Sequence, residues 1–279
     1  MGIKVTFTID QDDFVGNDPQ WRRLKKRLKK YKKKEKWVDD PIYCLNQKGQ
    51  LYSDVINYVE ANKKRGIRYV NLGFSVEISK EVYQKAAAFV LNFPKKYCEE
   101  YEDIENEYKE CEVCWTKVKG NRLFYVQPKG YIKRHSRDCG MAGIDGTDEC
   151  LLLPKLVEKL IKGGVDKSFF EPVLSKKKKV IGYIFVTKSI LPKHTFQDSN
   201  YGTMRQCNAC GHINMEIKEP EYWYRQKTIS KMGLKKLKDV NLTYEFYSDY
   251  QQKIISKKAA RIILRHVKYA ELFPVYLRR

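Results

Sequence analysis

Apolar and polar positions alternate from the first residues, and Gly2-Ile-Lys-Val-Thr-Phe-Thr-Ile-Asp10 has the two-residue period of a strand with one buried face. The period changes at Trp21, because Trp21, Leu24, Leu28 and Tyr31 recur at helical spacing and predict a helix from Trp21 to Lys36 that packs one apolar stripe. Residues 40–110 read as mixed α/β. An amphipathic helix is expected near Tyr52 to Lys64, then a strand over Ile67–Phe74 ended by glycine, then a helix capped by Ser79 and running through Phe89. The acidic stretch from Glu99 to Glu110 is suited to neutralising basic surface within the same molecule.

From Cys111 onward the pattern repeats. The first copy runs from Cys111-Glu-Val-Cys114 through a polar loop to an amphipathic helix after Leu151-Leu-Leu-Pro154, and then to Phe169-Phe-Glu-Pro-Val-Leu174. The second runs from Cys207-Asn-Ala-Cys210 to a helix after Ser256, and then to Leu272-Phe-Pro-Val-Tyr-Leu277. In the first helix Leu156, Leu160 and Ile161 form the apolar face and Gly163-Gly164 stops it; in the second, Ser256 caps a face of Ala259, Ala260, Ile263 and Val267. Val180–Val186 and Leu242–Tyr247, rich in β-branched and aromatic residues, are the strands on which these helices would lie.

The fold expected is therefore α+β (mixed α/β): two pseudo-repeated knuckle-helix-strand units around a shared, zinc-ribbon-like site of four cysteines, with a basic N-terminal strand-helix extension. In domain terms, residues 1–66 form a basic region packed on the body and residues 67–279 a double-CXXC domain, with half-repeats at about 111–186 and 207–279. A chain of 279 residues, 42% hydrophobic and 13% aromatic, has ample material for such cores.

Charge narrows the partners. The formal net charge is +21, and Trp21–Lys36 alone holds eleven basic residues against one acid. Arg22, Arg23, Lys25, Lys26, Arg27, Lys29, Lys30 and Lys33 are the candidate partner-binding residues. They form either a solvated helix face or a docking surface for nucleic acid, an anionic membrane or an acidic protein. The amino terminus lacks a signal peptide's apolar core and no uncharged run reaches membrane-spanning length, so a soluble, cytoplasmic protein is expected.

In such a compartment eight cysteines favour metal ligation over disulfides. Cys111, Cys114, Cys207 and Cys210 arrive as two close pairs, which is what a structural, tetrahedral Zn2+ site requires. Two other arrangements stay open: separate sites completed by His135, Cys139 or His212, and thiol-disulfide exchange, which Glu112 beside Cys111 disfavours. Cys44, Cys98, Cys139 and Cys150 read as free thiols.

Signals for catalysis are few. Gly140-Met-Ala-Gly-Ile-Asp-Gly146 lacks the strand and lysine-serine ending of a phosphate-binding loop and reads as a flexible loop. His135 with Asp138 is the one nuclease-like cluster, and no carboxylate-rich metal motif accompanies it. No catalytic residue is assigned.

The carboxyl-terminal copy carries a family resemblance. Cys207-Asn-Ala-Cys210-Gly211, Glu219-Pro220, Asp239-Val240, the Leu242–Phe246 strand, Ile254–Ile263 and Phe273-Pro274-Val275 together resemble the double-CXXCG motif proteins, predicted immunity proteins of bacterial polymorphic toxin systems. The resemblance covers roughly residues 67–279 and departs from the pattern at Trp115, where the first motif's glycine would stand. It implies a non-enzymatic protein that binds and neutralises a cognate toxin. The charge then points to a toxin with an acidic surface or to a different target, with the basic helix as contact; Tyr222-Trp223-Tyr224 is read first as core packing and second as an aromatic anchor. A basic zinc-ribbon protein binding nucleic acid, with phage defence as one setting, is the alternative.

Overall fold

Val5, Phe7 and Ile9 point to one side of the first strand because successive side chains on a strand alternate faces, and that side carries the first hydrophobic core. The protein is seen here as a computed structural model that describes residues 2–10, 18–33, 42–62, 64, 67–92, 98–99, 101–103, 109–114, 117–118, 124–126, 134, 139–144, 149–193, 201–217, 222–225, 237–247 and 250–278. Helices and sheets mix throughout, as expected of an α+β chain, and the chain forms two compact units, Met1–Lys80 and Glu81–Arg279.

In the first unit β1 (Gly2–Asp10) is followed by α1 (Pro19–Leu28), β2 (Lys32–Lys33), β3 (Ile42–Asn46), α2 (Gln50–Asn62) and β4 (Arg68–Glu77). The sheet order is β2-β3-β1-β4, with β1 antiparallel to both neighbours. Trp21, Leu24 and Leu28 of α1 and Val55, Tyr58 and Val59 of α2 close over it. Asp18 starts α1 by accepting bonds from the amides of Gln20 (2.8 Å) and Trp21 (3.2 Å), and its other oxygen receives the Tyr58 hydroxyl at 3.1 Å.

Three expectations change here. The basic helix stops at Leu28 instead of Lys36: a 3-10 turn over Lys29–Tyr31 leads into β2, whose pairing of Lys32 with Tyr43 and Lys33 with Ile42 replaces helical bonds. Tyr31 leaves the buried stripe as a result and is 40% exposed. Gly73 does not end its strand but sits at a bulge, opposite Thr6 while Asn71 faces Phe7, so β4 runs on to Glu77. Because β4 pairs with β1 along nearly its whole length, the first unit extends past residue 66 to Lys80.

The second unit opens with α3 (Lys80–Lys85) and β5 (Ala88–Asn92). The helix expected through Phe89 ends early because Ala88–Leu91 are buried on both faces: Ala88 and Val90 join Ile254 and Val275, while Phe89 stacks on Tyr83 at 5.6 Å. Next come β6 (Cys98–Glu99), β7 (Tyr101–Asp103), β8 (Lys109–Glu110), β9 (Lys117–Val118), β10 (Phe124–Val126), β11 (Met141–Ile144), β12 (Cys150–Leu152), α4 (Pro154–Lys162) and β13 (Phe170–Leu174). The later half holds β14 (Val180–Phe185), β15 (Tyr201–Gln206), β16 (Ile213–Ile217), β17 (Tyr222–Arg225), β18 (Val240–Tyr247), β19 (Tyr250–Ser256), α5 (Lys257–His266) and β20 (Glu271–Arg278).

Among the described residues these strands build two seven-stranded sheets, β6-β11-β12-β14-β13-β10-β7 and β15-β16-β18-β19-β5-β20-β17. Their centres correspond. The hairpin β11-β12, helix α4 and strand β13 match β18-β19, α5 and β20; β10 lies parallel to β13 as β17 lies parallel to β20. In each sheet one antiparallel strand fills the slot between hairpin and last strand, and it comes from the opposite half. Counted from the strand order, the copies run from β5 to β13 and from β14 to β20, so β14, placed by the motifs in the half-repeat 111–186, leads the second copy yet fills the first sheet, and β5, upstream of residue 111, leads the first copy yet fills the second. The two strand sets correspond, with bounds other than the 111–186 and 207–279 expected from the motifs, and they are interlocked by a reciprocal exchange of their leading strands.

The repeated helices meet each other. A Cβ at Gly163 would meet the end of the Ile262 side chain, which would have to move aside, and Gly164 at φ +85 ends α4 in the left-handed region. Burial of Leu156, Val157 and Leu160 is worth about 1.5–3 kcal/mol each and fixes which face of α4 turns inward. Ile161, assigned to that face by spacing, is 43% exposed, and Val157 takes its place. The Ser256 cap forms as expected, accepting from the Ala259 amide at 3.2 Å and donating to Asp239 at 2.7 Å. Met141–Ile144, expected to be a flexible loop, is the buried strand β11; its small residues fit between neighbours, and the Tyr269 hydroxyl bridges the Met141 amide and carbonyl.

Candidate metal centre

Each knuckle sits at the bend of a short antiparallel hairpin, Cys111–Cys114 between β8 and β9, and Cys207–Cys210 between β15 and β16. Hairpin closure dictates the local turn. In the second knuckle the Cys207 amide donates to the His212 carbonyl at 2.8 Å and the Gly211 amide to the Cys207 carbonyl at 2.9 Å. Gly211 has φ +70 with nothing near its missing Cβ, so its glycine answers backbone conformation and not crowding. Trp115, at the matching place in the first knuckle, lies outside the described residues.

The pairs converge. Cys111 Sγ lies 3.7 Å from Cys207 Sγ, Cys114 Sγ lies 3.5 Å from Cys210 Sγ, and all four sulfurs fall within 4.8 Å of one another. A tetrahedral ion with metal–sulfur bonds of about 2.3 Å places its sulfurs about 3.8 Å apart, so the four thiols already stand close to ligating geometry. Corresponding residues of the two copies face each other, as expected if the pseudo-symmetry of the halves passes through the site. Cys44, Cys111, Cys114, Cys139, Cys150, Cys207 and Cys210 form no disulfide.

The two thiols of the second knuckle are shifted in opposite directions. Amides of Cys210 and Ala209 donate to the Cys207 sulfur and hold its pKa below the usual thiol value. The His212 amide likewise favours ionisation of Cys210, but burial and the three neighbouring thiols outweigh it and push that thiol up to about 12. Four sulfurs with amide donors suit zinc or iron, and they fill a tetrahedral coordination shell completely.

The other sequence candidates separate clearly. His212 does not substitute for a knuckle cysteine; its Nδ1 lies 3.3 Å from Cys210 Sγ, where it buttresses that ligand. Cys139 is half-buried and outside the cluster, as are Cys44 and the buried Cys150. His135, Asp138 and His194 lie outside the described residues, as do Glu219 and Pro220 of the family pattern. Asp239 anchors α5 through Ser256 and through the Lys258 ammonium at 2.8 Å. Tyr224 is 1% exposed within a core cluster, so this member of the aromatic triplet is packing and not an anchor.

On α1, Arg22, Arg23, Lys25 and Lys26 are exposed, and so are Arg27, Lys29 and Lys30; Lys33 lies on β2 with its side chain outside the described set. Arg27 pairs with Asp54 at 2.7 Å. One feature escaped sequence reasoning: Lys253 Nζ and Glu149 Oε2 form a 2.5 Å ion pair with side chains only 5% and 7% exposed, joining β19 of one half to the approach of β12 in the other. Lys253 follows Gln251-Gln252, so nothing local in the sequence marks the pair.

No known family model, curated protein or solved structure matches the chain. The likeness to double-CXXCG motif proteins accordingly rests on the motif residues themselves. Among the described residues no helix is long and apolar enough to cross a membrane.

Proposed function

We propose that the chain is a non-enzymatic, cytoplasmic immunity protein that binds and neutralises a cognate bacterial toxin, and that its four-cysteine site holds structural zinc. The observation that carries this reading is the convergence of the two knuckles, 96 residues apart in sequence, on one closed four-sulfur cluster. Paired, mutually dependent CXXC motifs are what the double-CXXCG resemblance implies. A coordination shell filled by protein sulfur leaves no position for water or substrate, so the metal's energy goes into holding the two halves together. Neutralisation then works by occlusion: a preformed surface covers the toxin's active site or blocks its movement.

The test is genetic and physical. The product of the adjacent reading frame, expressed alone, is expected to be toxic, to become harmless when this chain is co-expressed, and to co-purify with it. A harmless neighbour, or a toxic one that is neither suppressed nor bound, overturns the reading. Elemental analysis is expected to give about one zinc per chain; iron in its place overturns the assignment of the metal alone.

A further inference from the structure

The exposed face of α1 remains outside the metal centre, and three observations define what fits it. Its cations and those of the 3-10 turn that follows are dense: seven lie between Arg22 and Lys30, all exposed. That span rises about 13 Å, at 1.5 Å per residue to Leu28 and about 2.0 Å over the turn, giving one positive charge per roughly 1.9 Å. Duplex nucleic acid carries one phosphate charge per about 1.7 Å of axis, so the charge densities match. A folded acidic protein mixes both signs over its surface and does not reach that density.

The second observation concerns the helix's other side. Trp21, Leu24 and Leu28 are buried in the core of the first unit, with Trp21 stacked on Tyr58 at 5.4 Å. A helix that inserts into a bilayer puts its apolar stripe into the lipid, and this stripe is already committed. The third concerns stiffness. Asp18 caps the helix start and Arg27 is tied to Asp54, so the cations project from a fixed rod and no helix has to be ordered on binding.

We propose that the α1 face binds the phosphate backbone of double-stranded nucleic acid without regard to sequence. The contact is electrostatic and gains its free energy from release of condensed counterions. Phosphate contacts fix position and carry no sequence information, consistent with a face composed of arginine and lysine with no amide side chain between Arg22 and Lys30. This activity resides in the first unit and does not depend on the toxin-neutralising reading.

The experiment titrates the intact, zinc-loaded protein into a fluorescent mixed-sequence duplex of about 20 base pairs, a length that spans about two helical turns. With about five phosphates neutralised, log K is expected to fall against log salt with a slope of about −4.5, which is roughly 500-fold between 50 and 200 mM. Replacing Arg23→Gln, Lys25→Gln, Lys26→Gln and Lys30→Gln together is expected to bring that slope closer to zero by about three. These side chains are exposed, so the variant's thermal unfolding is expected to match the parent's, and the smaller pair Lys29→Gln with Lys30→Gln serves if it does not. Salt-independent binding, an unchanged slope in the variants, or tighter binding at equal salt to polyglutamate or to phosphatidylserine vesicles than to duplex overturns the proposal. The quadruple variant still bound to the neighbouring gene's product would show that the two roles separate; loss of neutralisation in a duplex-binding Cys207→Ser protein would do the same from the other side.

Discussion

Removing the metal tests the architecture most directly. The sulfur separations of 3.5 and 3.7 Å across the halves are within about 0.3 Å of those a zinc tetrahedron requires, so little binding energy is spent on rearrangement. Structural zinc sites contribute an apparent 10–16 kcal/mol near neutral pH, whereas a whole domain is stable by about 5–15 kcal/mol. Chelation is therefore expected to abolish cooperative folding of Glu81–Arg279 outright, with no modest lowering of its midpoint. The first unit has a core of its own, built on Phe7, Trp21 and Tyr58, and is expected to keep its transition. Calorimetry on the metal-loaded protein should show two transitions and on the chelated protein one, and Cys207→Ser with Cys210→Ser should reproduce the chelated trace. A second transition that survives chelation with its enthalpy intact would refute a metal-dependent fold.

Other consequences are as concrete. Gly182→Ala places a Cβ 2.8 Å from Leu151 carbons and from the Leu152 carbonyl oxygen, which is backbone and cannot move aside; overpacking of this kind costs about 1–3 kcal/mol, readable by urea unfolding of the second unit. Breaking the buried ion pair with Lys253→Met alone is expected to cost about 3–5 kcal/mol, while adding Glu149→Leu should recover most of it, a comparison a double-mutant cycle makes directly. Asp18→Ala removes the α1 cap and the Tyr58 bond and should lower the first transition by about 1–2 kcal/mol, leaving the second in place. For pH, Cys210 sits near 12 before metal arrives and must lose its proton to ligate, so zinc affinity is expected to weaken as pH falls, with protons released on uptake; calorimetry in buffers of different ionisation enthalpy measures that release.

What could be read from the chain beforehand followed short-range physics. The knuckles, the Ser256 cap, the Gly163-Gly164 stop and the strands at Val180 and Leu242 each announce themselves within a few residues, and all of them form. Failures came where distant partners decide. Ala88–Asn92 continues a helical apolar spacing from Val82 and becomes a strand because β19 and β20 bury it from both edges. Lys32-Lys33 continues a helical run and becomes a strand because β3 offers an edge. Met141–Ile144 looked too glycine-rich for order, yet Gly143 pairs with both Cys150 and Cys98. The cluster of four sulfurs was legible because cysteine spacing is a local signature, while the ion pair between Glu149 and Lys253 spans 104 residues and leaves no local trace.

The exchanged strands also set an order of events at the ribosome. Strand β5 is synthesised early, yet its neighbours β19 and β20 lie far downstream, at Tyr250–Ser256 and Glu271–Arg278. Until those emerge, Ala88-Phe-Val-Leu-Asn92 has two unpaired edges and no charge, which is the profile of an aggregation-prone segment. Non-local pairing of this kind also slows folding, since a long loop must close before any contact rewards it. The first sheet has all its strands once Phe185 has emerged, but a nascent chain stalled anywhere before Tyr250 carries an incomplete second sheet and an orphan strand. The second sheet is therefore closed only by the last strands made, and the chain's demand for protection during synthesis should be highest over its second half.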